Sequence, residues 1–385
     1  MKQTNDFLIP DYFPDFHCKM GECRAACCQG WPITVSMENY FSLLGMDCSP
    51  DLRSRLDVGL RMVNRPTREE YARFNPRWDG DCPMRMEDGR CSIHADMGED
   101  VLPDICRLYP RGIRHGANPD ERPECSCANS CEATLELFWN RTEPLTFITR
   151  RMTMDMPSAA RRISRFETMN RDQELRLFFI GLLQDRRYSL SVRIARLGAA
   201  VADMDAALNA KDADAVQSLL DGNLPEYSVP EDLPFASALS IAENMVELLE
   251  HRSSSIREQG EFALSRISSP EQYHAAEQHF SALFPDWEIF FEHMLVNHIF
   301  FDRFPYQDRP VTPAEEVTAL CAVYALLRFL ALGWMSDKAA SSELIDTLAA
   351  AFRLIEHTDF DRLAAAMLRR MDFTSPAQLN ALVML

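Results

Sequence analysis

Residues 312–334 read TPAEEVTALCAVYALLRFLALGW, a run of helix-forming residues opened by a hydroxyl, a proline and two glutamates. Thr312 supplies a capping oxygen, Pro313 the φ a first turn requires, and Glu315 and Glu316 negative charge against the helix dipole. The reading is a helix over 313–334. Its continuous apolar part, Leu320 to Trp334, is shorter than the roughly 20 residues a membrane span needs and contains Arg328, so a buried core helix is expected and no membrane insertion.

The same 3.6-residue period extends outward from this stretch. Leu175, Phe178, Phe179, Leu182 and Leu183 form one face, and Leu190, Ile194, Leu197 and Val201 another. Further helices are expected at 203–220, 234–250, 256–267, 270–283, 286–301, 341–356 and 359–371. Ser269-Pro270-Glu271 and Ser341-Ser342-Glu343 mark two of the starts with a capping hydroxyl. No strand-like alternation of comparable length stands out, so residues 141–385 read as an all-helical domain for substrate docking and core formation, without a solenoid repeat.

Residues 1–140 differ in kind. They hold eleven of the twelve cysteines together with many Pro, Gly and Asp residues and little sustained periodicity, as expected where metal ligation replaces a large apolar core. Short helices are expected at 36–44 and 50–63, and turns at Asp79-Gly80-Asp81 and Asp88-Gly89-Arg90. The fold class is therefore mainly α: an irregular cysteine-rich metal-binding N-terminal module over 1–140, then an all-helical bundle over 141–385.

Composition excludes several function classes. The 385 residues carry 40 Lys+Arg against 58 Asp+Glu, a net charge of -18, and such a surface repels nucleic-acid phosphates. Only Lys2, Lys19, Lys211 and Lys338 are lysines, a bias attributable to a GC-rich coding sequence. No two of the 14 glycines are separated by one residue and no Gly-Lys pair occurs, which removes dinucleotide-type and P-loop phosphate cradles. The N-terminal residues lack the apolar core of an export signal, so a cytoplasmic location is expected. Residues 150–196 hold eleven arginines against five acidic residues; a solvated helix face is the ordinary reading and an acidic partner or carboxylate ligand the alternative.

In a reducing compartment the cysteine cluster points to metal or redox chemistry. A disulfide between the adjacent Cys27 and Cys28 would be a strained eight-membered ring, and a shared metal site is the easier reading. The thiols fall into three groups: Phe16-His17-Cys18, Cys23 and Cys27-Cys28-Gln29-Gly30-Trp31; Cys82, Cys91 and Asp104-Ile105-Cys106-Arg107-Leu108-Tyr109-Pro110-Arg111; and Cys125, Cys127 and Cys131. No C-x2-C knuckle of a zinc ribbon is present, and the radical-type C-x3-C-x2-C spacing is not met. More than four thiols spread over three segments favour an iron–sulfur cluster or several metals over one structural zinc. His94 and His115 are possible mixed ligands.

The pattern resembles the flagellin lysine N-methylase family, the FliB-like proteins, with their CxxCxxCC-type metal-chelating region. The matching residues are Phe16, Cys18, Cys23, Cys27, Cys28, Gly30 and Trp31, then Cys82, Cys91 and Cys106 with Tyr109-Pro110-Arg111, then Ser130-Cys131-Glu132-Ala133. Asn297-His298-Ile299-Phe300-Phe301-Asp302-Arg303-Phe304-Pro305 is similar to the family's later Asn-aromatic segment. The family's Cys-Pro-Glu is here Cys131-Glu132 without the proline, and Cys48, Cys125 and Cys127 have no place in its pattern.

The resemblance implies S-adenosylmethionine-dependent methylation of flagellin lysines, with an iron–sulfur cluster, expected as [4Fe-4S] with zinc as the alternative metal. The expected metal ligands are Cys18, Cys23, Cys27, Cys28, Cys82, Cys91, Cys106 and Cys131. Glu132, as general base, and Tyr109 are the candidate catalytic residues. Arg107 and Arg111 would hold the donor's carboxylate, and Trp31 would wall its sulfonium, with Tyr109, Phe300, Phe301 and Tyr306 as further aromatic walls. The bland reading is core packing for the aromatics, an exposed ion pair for Arg107 and Arg111, and for Glu132 a helix N-terminal carboxylate favoured by the dipole. The alternative function is a non-catalytic metal-binding or redox-sensing module fused to a helical interaction domain.

Overall fold

A computed structural model describes residues 2–24, 27–29, 33–118, 120–156, 168–225, 234–250, 254–306, 311–373 and 378–379. The chain forms two compact units. One comprises Asp15–Gly112 with Cys131–Ala133; the other comprises Met1–Pro14, Ile113–Ser130 and Thr134–Leu385. The boundary therefore does not fall once, near residue 140. The chain enters the cysteine unit after Pro14, leaves it at Gly112 and touches it again for three residues.

The helical unit is mainly α, as the periodicity requires. Pro270–Leu283 and Pro313–Trp334 match expectation, and Phe235–Glu250, Ser254–Arg266, Trp287–Asp302, Ser341–His357 and Phe360–Arg370 lie within two residues of it. The expected 203–220 helix is instead the end of Leu190–Asn209 followed, after a turn, by Ala213–Leu220. Thr312 completes a capping box: its Oγ1 accepts from the Glu315 N–H at 3.2 Å while Glu315 Oε2 accepts from the Thr312 N–H at 2.8 Å. Ser269 Oγ caps Gln272 at 3.3 Å. The Ser341 start differs, because Ala340 takes the cap position and no side chain caps it.

Pro313–Trp334 is the core helix. Val323, Leu327, Leu330 and Ala331 are fully buried, and the apolar stretch is covered by protein over most of its length. Gly333 permits close approach here, since a Cβ would lie 2.3 Å from the Cβ of Ala263 on Ser254–Arg266. Buried charges are matched: Glu292, 0% exposed, accepts from Arg186 at 2.8 and 2.9 Å and from Arg193.

The expectation of an all-helical domain requires one correction. Phe147–Asp155 is a nine-residue strand, antiparallel to Lys2–Pro10 from Lys2 opposite Asp155 to Pro10 opposite Phe147. With Arg111–Arg114 and Glu124–Cys127 they make a four-stranded sheet in which Glu124–Cys127 lies between Arg111–Arg114 and Lys2–Pro10. The pairing joins segments about 145 residues apart, and the Phe147–Asp155 strand is mostly exposed, so neither shows the alternation that marks a half-buried strand.

The cysteine unit is built on a small three-stranded antiparallel sheet with Ala72–Phe74 in the middle, flanked by Ile33–Val35 and Leu60–Met62. Met37–Gly45 and Pro50–Gly59 pack on it, capped by Ser36 and Ser49. The second helix stops at Gly59, short of the expected 63, where the chain becomes the Leu60–Met62 strand. Val35, Leu43, Leu52, Leu56, Phe74 and Ile93 form the core, and Cys82 is buried within it.

Candidate functional site

All eight expected thiols, Cys18, Cys23, Cys27, Cys28, Cys82, Cys91, Cys106 and Cys131, belong to the cysteine unit. Backbone hydrogen bonds gather their segments. The Cys82 N–H donates to Cys28 O at 2.8 Å, Gln29 bridges Asp81, Arg85 bridges Cys91, and the Ser92 N–H donates to Met84 O at 2.7 Å. Cys28, Cys91 and Cys106 pack against the core that contains Cys82.

Electrostatics register the same gathering. The hydrogen bond between Cys27 and Cys28 divides the pair: it holds the Cys27 thiol well above its ordinary value and brings Cys28 down to about 7, with the Arg85 guanidinium assisting. Burial pushes Cys82 up to about 12 and Cys23 to about 11, the latter with Glu132 and Cys131 adding negative charge. Cys106 is raised by burial and by Cys91, Cys82 and Cys28. Thiols that raise one another in this way are chemically suited to a cation that neutralises them together. Among the described residues, however, no three Cys, His, Asp or Glu side chains stand in metal-ligand geometry. The donor chemistry of these thiols fits a thiophilic metal.

Cys125 and Cys127 are separate from this set, as buried residues of the Glu124–Cys127 strand in the helical unit. There, Tyr12 Oη accepts from the Cys127 N–H at 3.0 Å and donates to Asn297 Oδ1 at 2.7 Å, and Asn297 Nδ2 donates to Cys127 O at 2.8 Å and Asn129 Oδ1 at 2.7 Å. Asn297, singled out by sequence, is thus a buried pin for residues 127–129. Phe300 packs on Phe147 and Arg176, Phe301 lies under Arg114, and Tyr306 is buried, which is the core reading of these aromatics.

Glu132 begins the Glu132–Trp139 helix and is 1% exposed. Its Oε1 accepts from Lys19 Nζ at 2.9 Å and from the Arg24 N–H at 3.2 Å, with the Arg24 guanidinium at 3.9 Å. Lys19 and Arg24 were not signalled by sequence: Lys19 stands beside Cys18, but the scarcity of lysine reads as composition. Arg107 pairs with Asp104 at 2.8 Å, and Arg111 lies over the Phe16 ring at 5.2 Å. Tyr109 closes Asp104–Leu108 through its N–H to Ile105 O at 3.1 Å. Trp31 lies outside the described residues. Of the run 150–196, Arg171, Arg176, Arg186, Arg187, Arg193 and Arg196 all meet carboxylates, the solvated or structural reading, and 157–167 lie outside the described residues.

No solved structure is similar to this chain. The lysine-N-methylases of Salmonella choleraesuis (strain SC-B67) and Salmonella typhimurium (strain LT2) are each 24% identical to it over 110 residues, 26% of this chain and 25% of theirs. The flagellar biosynthetic protein FliU of Salmonella muenchen is 24% identical over 110 residues, 26% of this chain and 60% of its own length. The matched region thus spans a quarter of the two methylases. A family match described as the FliB lysine N-methylase C-terminal domain covers residues 176–382, more than half of the chain and wholly C-terminal to the cysteine motif on which the sequence resemblance was strongest. By that match the chain belongs to the FliB lysine N-methylase family.

Proposed function

We propose that the protein is a cytoplasmic methyltransferase that moves methyl groups from S-adenosylmethionine to lysine side chains of flagellin. The observation that carries this reading is the family match over 176–382. The flagellar name of one relative supports the substrate. So does the net charge of -18, which draws cationic side chains toward the surface.

In the proposal Cys18, Cys23, Cys27, Cys28, Cys82, Cys91, Cys106 and Cys131 are the pool of thiols from which an iron–sulfur cluster, [4Fe-4S], takes its ligands, with zinc as the alternative metal. When bound, such a cluster supplies either a staple for the small core or an iron able to chelate the amino-carboxylate of the donor. The chain's own groups do the rest. Arg107 and Arg111 are the cations proposed for the donor carboxylate, and Tyr109 and Trp31 the aromatic surfaces for its sulfonium.

The acceptor lysine, with an ordinary pKa near 10.4, must first lose a proton. Between groups at their ordinary pKa values, transfer from an ammonium to a carboxylate is uphill by about 8 kcal/mol. A donor sulfonium that lies nearer to the ammonium than to Glu132 narrows that gap, because it lowers the ammonium's pKa more than the carboxyl's. Glu132 is the proposed proton acceptor; the nitrogen lone pair then attacks the methyl carbon, and the sulfur leaves with the bonding pair.

Titration calorimetry tests the reading. The expected result is that S-adenosylmethionine binds anaerobically purified protein and binds more weakly to protein stripped of the proposed cluster. Equal affinity in the two forms refutes a cluster-supported donor site, and no binding by either form refutes the methylase reading.

A further inference from the structure

Of the four lysines, Lys2 and Lys211 are exposed and Lys338 lies over the rings of Trp334 and Phe262. Lys19 is different. Its ammonium sits 2.9 Å from a carboxylate that is 1% exposed, while its own side chain is 25% exposed. One end of this ion pair is therefore fixed in the protein and the other reaches it from the solvent side.

The loop that carries Lys19 is a tight turn. Met20 and Gly21 take φ of +50° and +112°, and the Glu22 N–H closes the turn on Lys19 O at 3.2 Å. Gly21 is pressed against the Asp88-Gly89 turn so closely that a Cβ on Gly89 would stand 2.5 Å from Gly21 O. Among its contacts, Glu132 also accepts from the Arg24 N–H at 3.2 Å, with the Arg24 guanidinium at 3.9 Å. A cation beside a buried carboxylate offsets part of its desolvation, and a primary ammonium on a flexible stem is seated on this one at hydrogen-bond distance.

We infer that the Glu132 carboxylate is a binding seat for the side-chain ammonium of a protein lysine, and that in the free protein Lys19 fills this seat as an internal stand-in which the incoming lysine displaces. The inference rests on the methylase reading for the identity of the incoming group. The exchange is charge for charge: one ammonium leaves the carboxylate, another replaces it, and no proton or bond is transferred. The seat also sets specificity, since a free carboxylate-bearing amino acid carries an anion toward a buried anion, whereas a lysine within a polypeptide does not.

The test is fluorescence anisotropy with the full, anaerobically purified chain, without methyl donor. The probe is a short labelled flagellin peptide with one lysine and no arginine, compared with the same peptide in which that lysine is alanine. Lys19→Met removes the competing ammonium and should tighten the lysine peptide about fivefold; Lys19→Arg, whose fork pairs the carboxylate more firmly, should weaken it about threefold. Glu132→Gln should make the two peptides bind alike. Damage to the fold would weaken binding in both Lys19 variants, so only opposite shifts support the seat.

Unchanged affinity, shifts in the same direction, or equal binding of the two peptides by the wild type overturns the proposal. Calorimetric donor binding that persists in any of these cases leaves the methylase reading standing and removes only the role of Lys19.

Discussion

Glu292 shows what single residues contribute to the helical unit. It is fully buried and meets Arg186 and Arg193, so Glu292→Gln leaves Arg193 with Glu288, at 3.6 Å, and takes the carboxylate from the partly exposed Arg186; it should cost about 3 kcal/mol in urea unfolding. Glu356 works in the opposite sense. It accepts from the Asn129 and Ser130 N–H groups, both at 2.9 Å, and burial, with the charge of Asp302, pushes it up to about 8. A carboxyl whose folded value lies above its unfolded value near 4.3 binds its proton more tightly in the folded chain, so its contribution to stability declines as pH rises from about 4.3 to about 8. Urea midpoints measured from pH 6 to pH 9 should fall for the wild type and fall less for Glu356→Gln; parallel profiles would remove Glu356 as the cause. Among the thiols, Cys27→Ser and Cys106→Ser should abolish cluster colour and lower the melting temperature of the cysteine unit, because lost ligation is lost folding energy. Intact colour in both variants would take these residues out of the ligand set.

At the scale of elements, Gly333 lets Pro313–Trp334 approach Ala263 so closely that a Cβ would stand 2.3 Å from it. Gly333→Ala should destabilise by about 1–3 kcal/mol through overpacking, read as a lower thermal midpoint. The helices were legible because burial on one face repeats every 3.6 residues and because Thr312-Pro313 and Ser269-Pro270 announce first turns. The long strands were not. Lys2–Pro10 is exposed over its first half and buried over its second, and Phe147–Asp155 is mostly exposed, so burial follows position along the ribbon and leaves no alternation in the residues. The gathering of thiols in one unit followed from their density along the chain. The Lys19 to Glu132 pair did not, because a contact across 113 residues leaves no periodic trace. The Asp104 and Arg107 pair, at i,i+3 on a short helix, is local enough to read.

The whole molecule joins a small cysteine-rich unit to a larger helical unit, and the family match lies on the latter. On the proposed function, this acidic chain draws in its lysine substrate by steering, so the proposed methylation of flagellin should slow as ionic strength rises from about 0.05 to 0.5 M, where the Debye length shrinks below the spacing of surface charges. A rate independent of salt would assign recognition to contact alone. The central claim, transfer of methyl groups to protein lysines, is tested most directly by mass spectrometry of flagellin incubated with anaerobically purified, cluster-loaded protein and S-adenosylmethionine. The account predicts gains of whole methyl masses on flagellin lysines, at a rate well above that on free lysine. Flagellin that keeps its mass in the presence of cluster-loaded, donor-binding protein would contradict it.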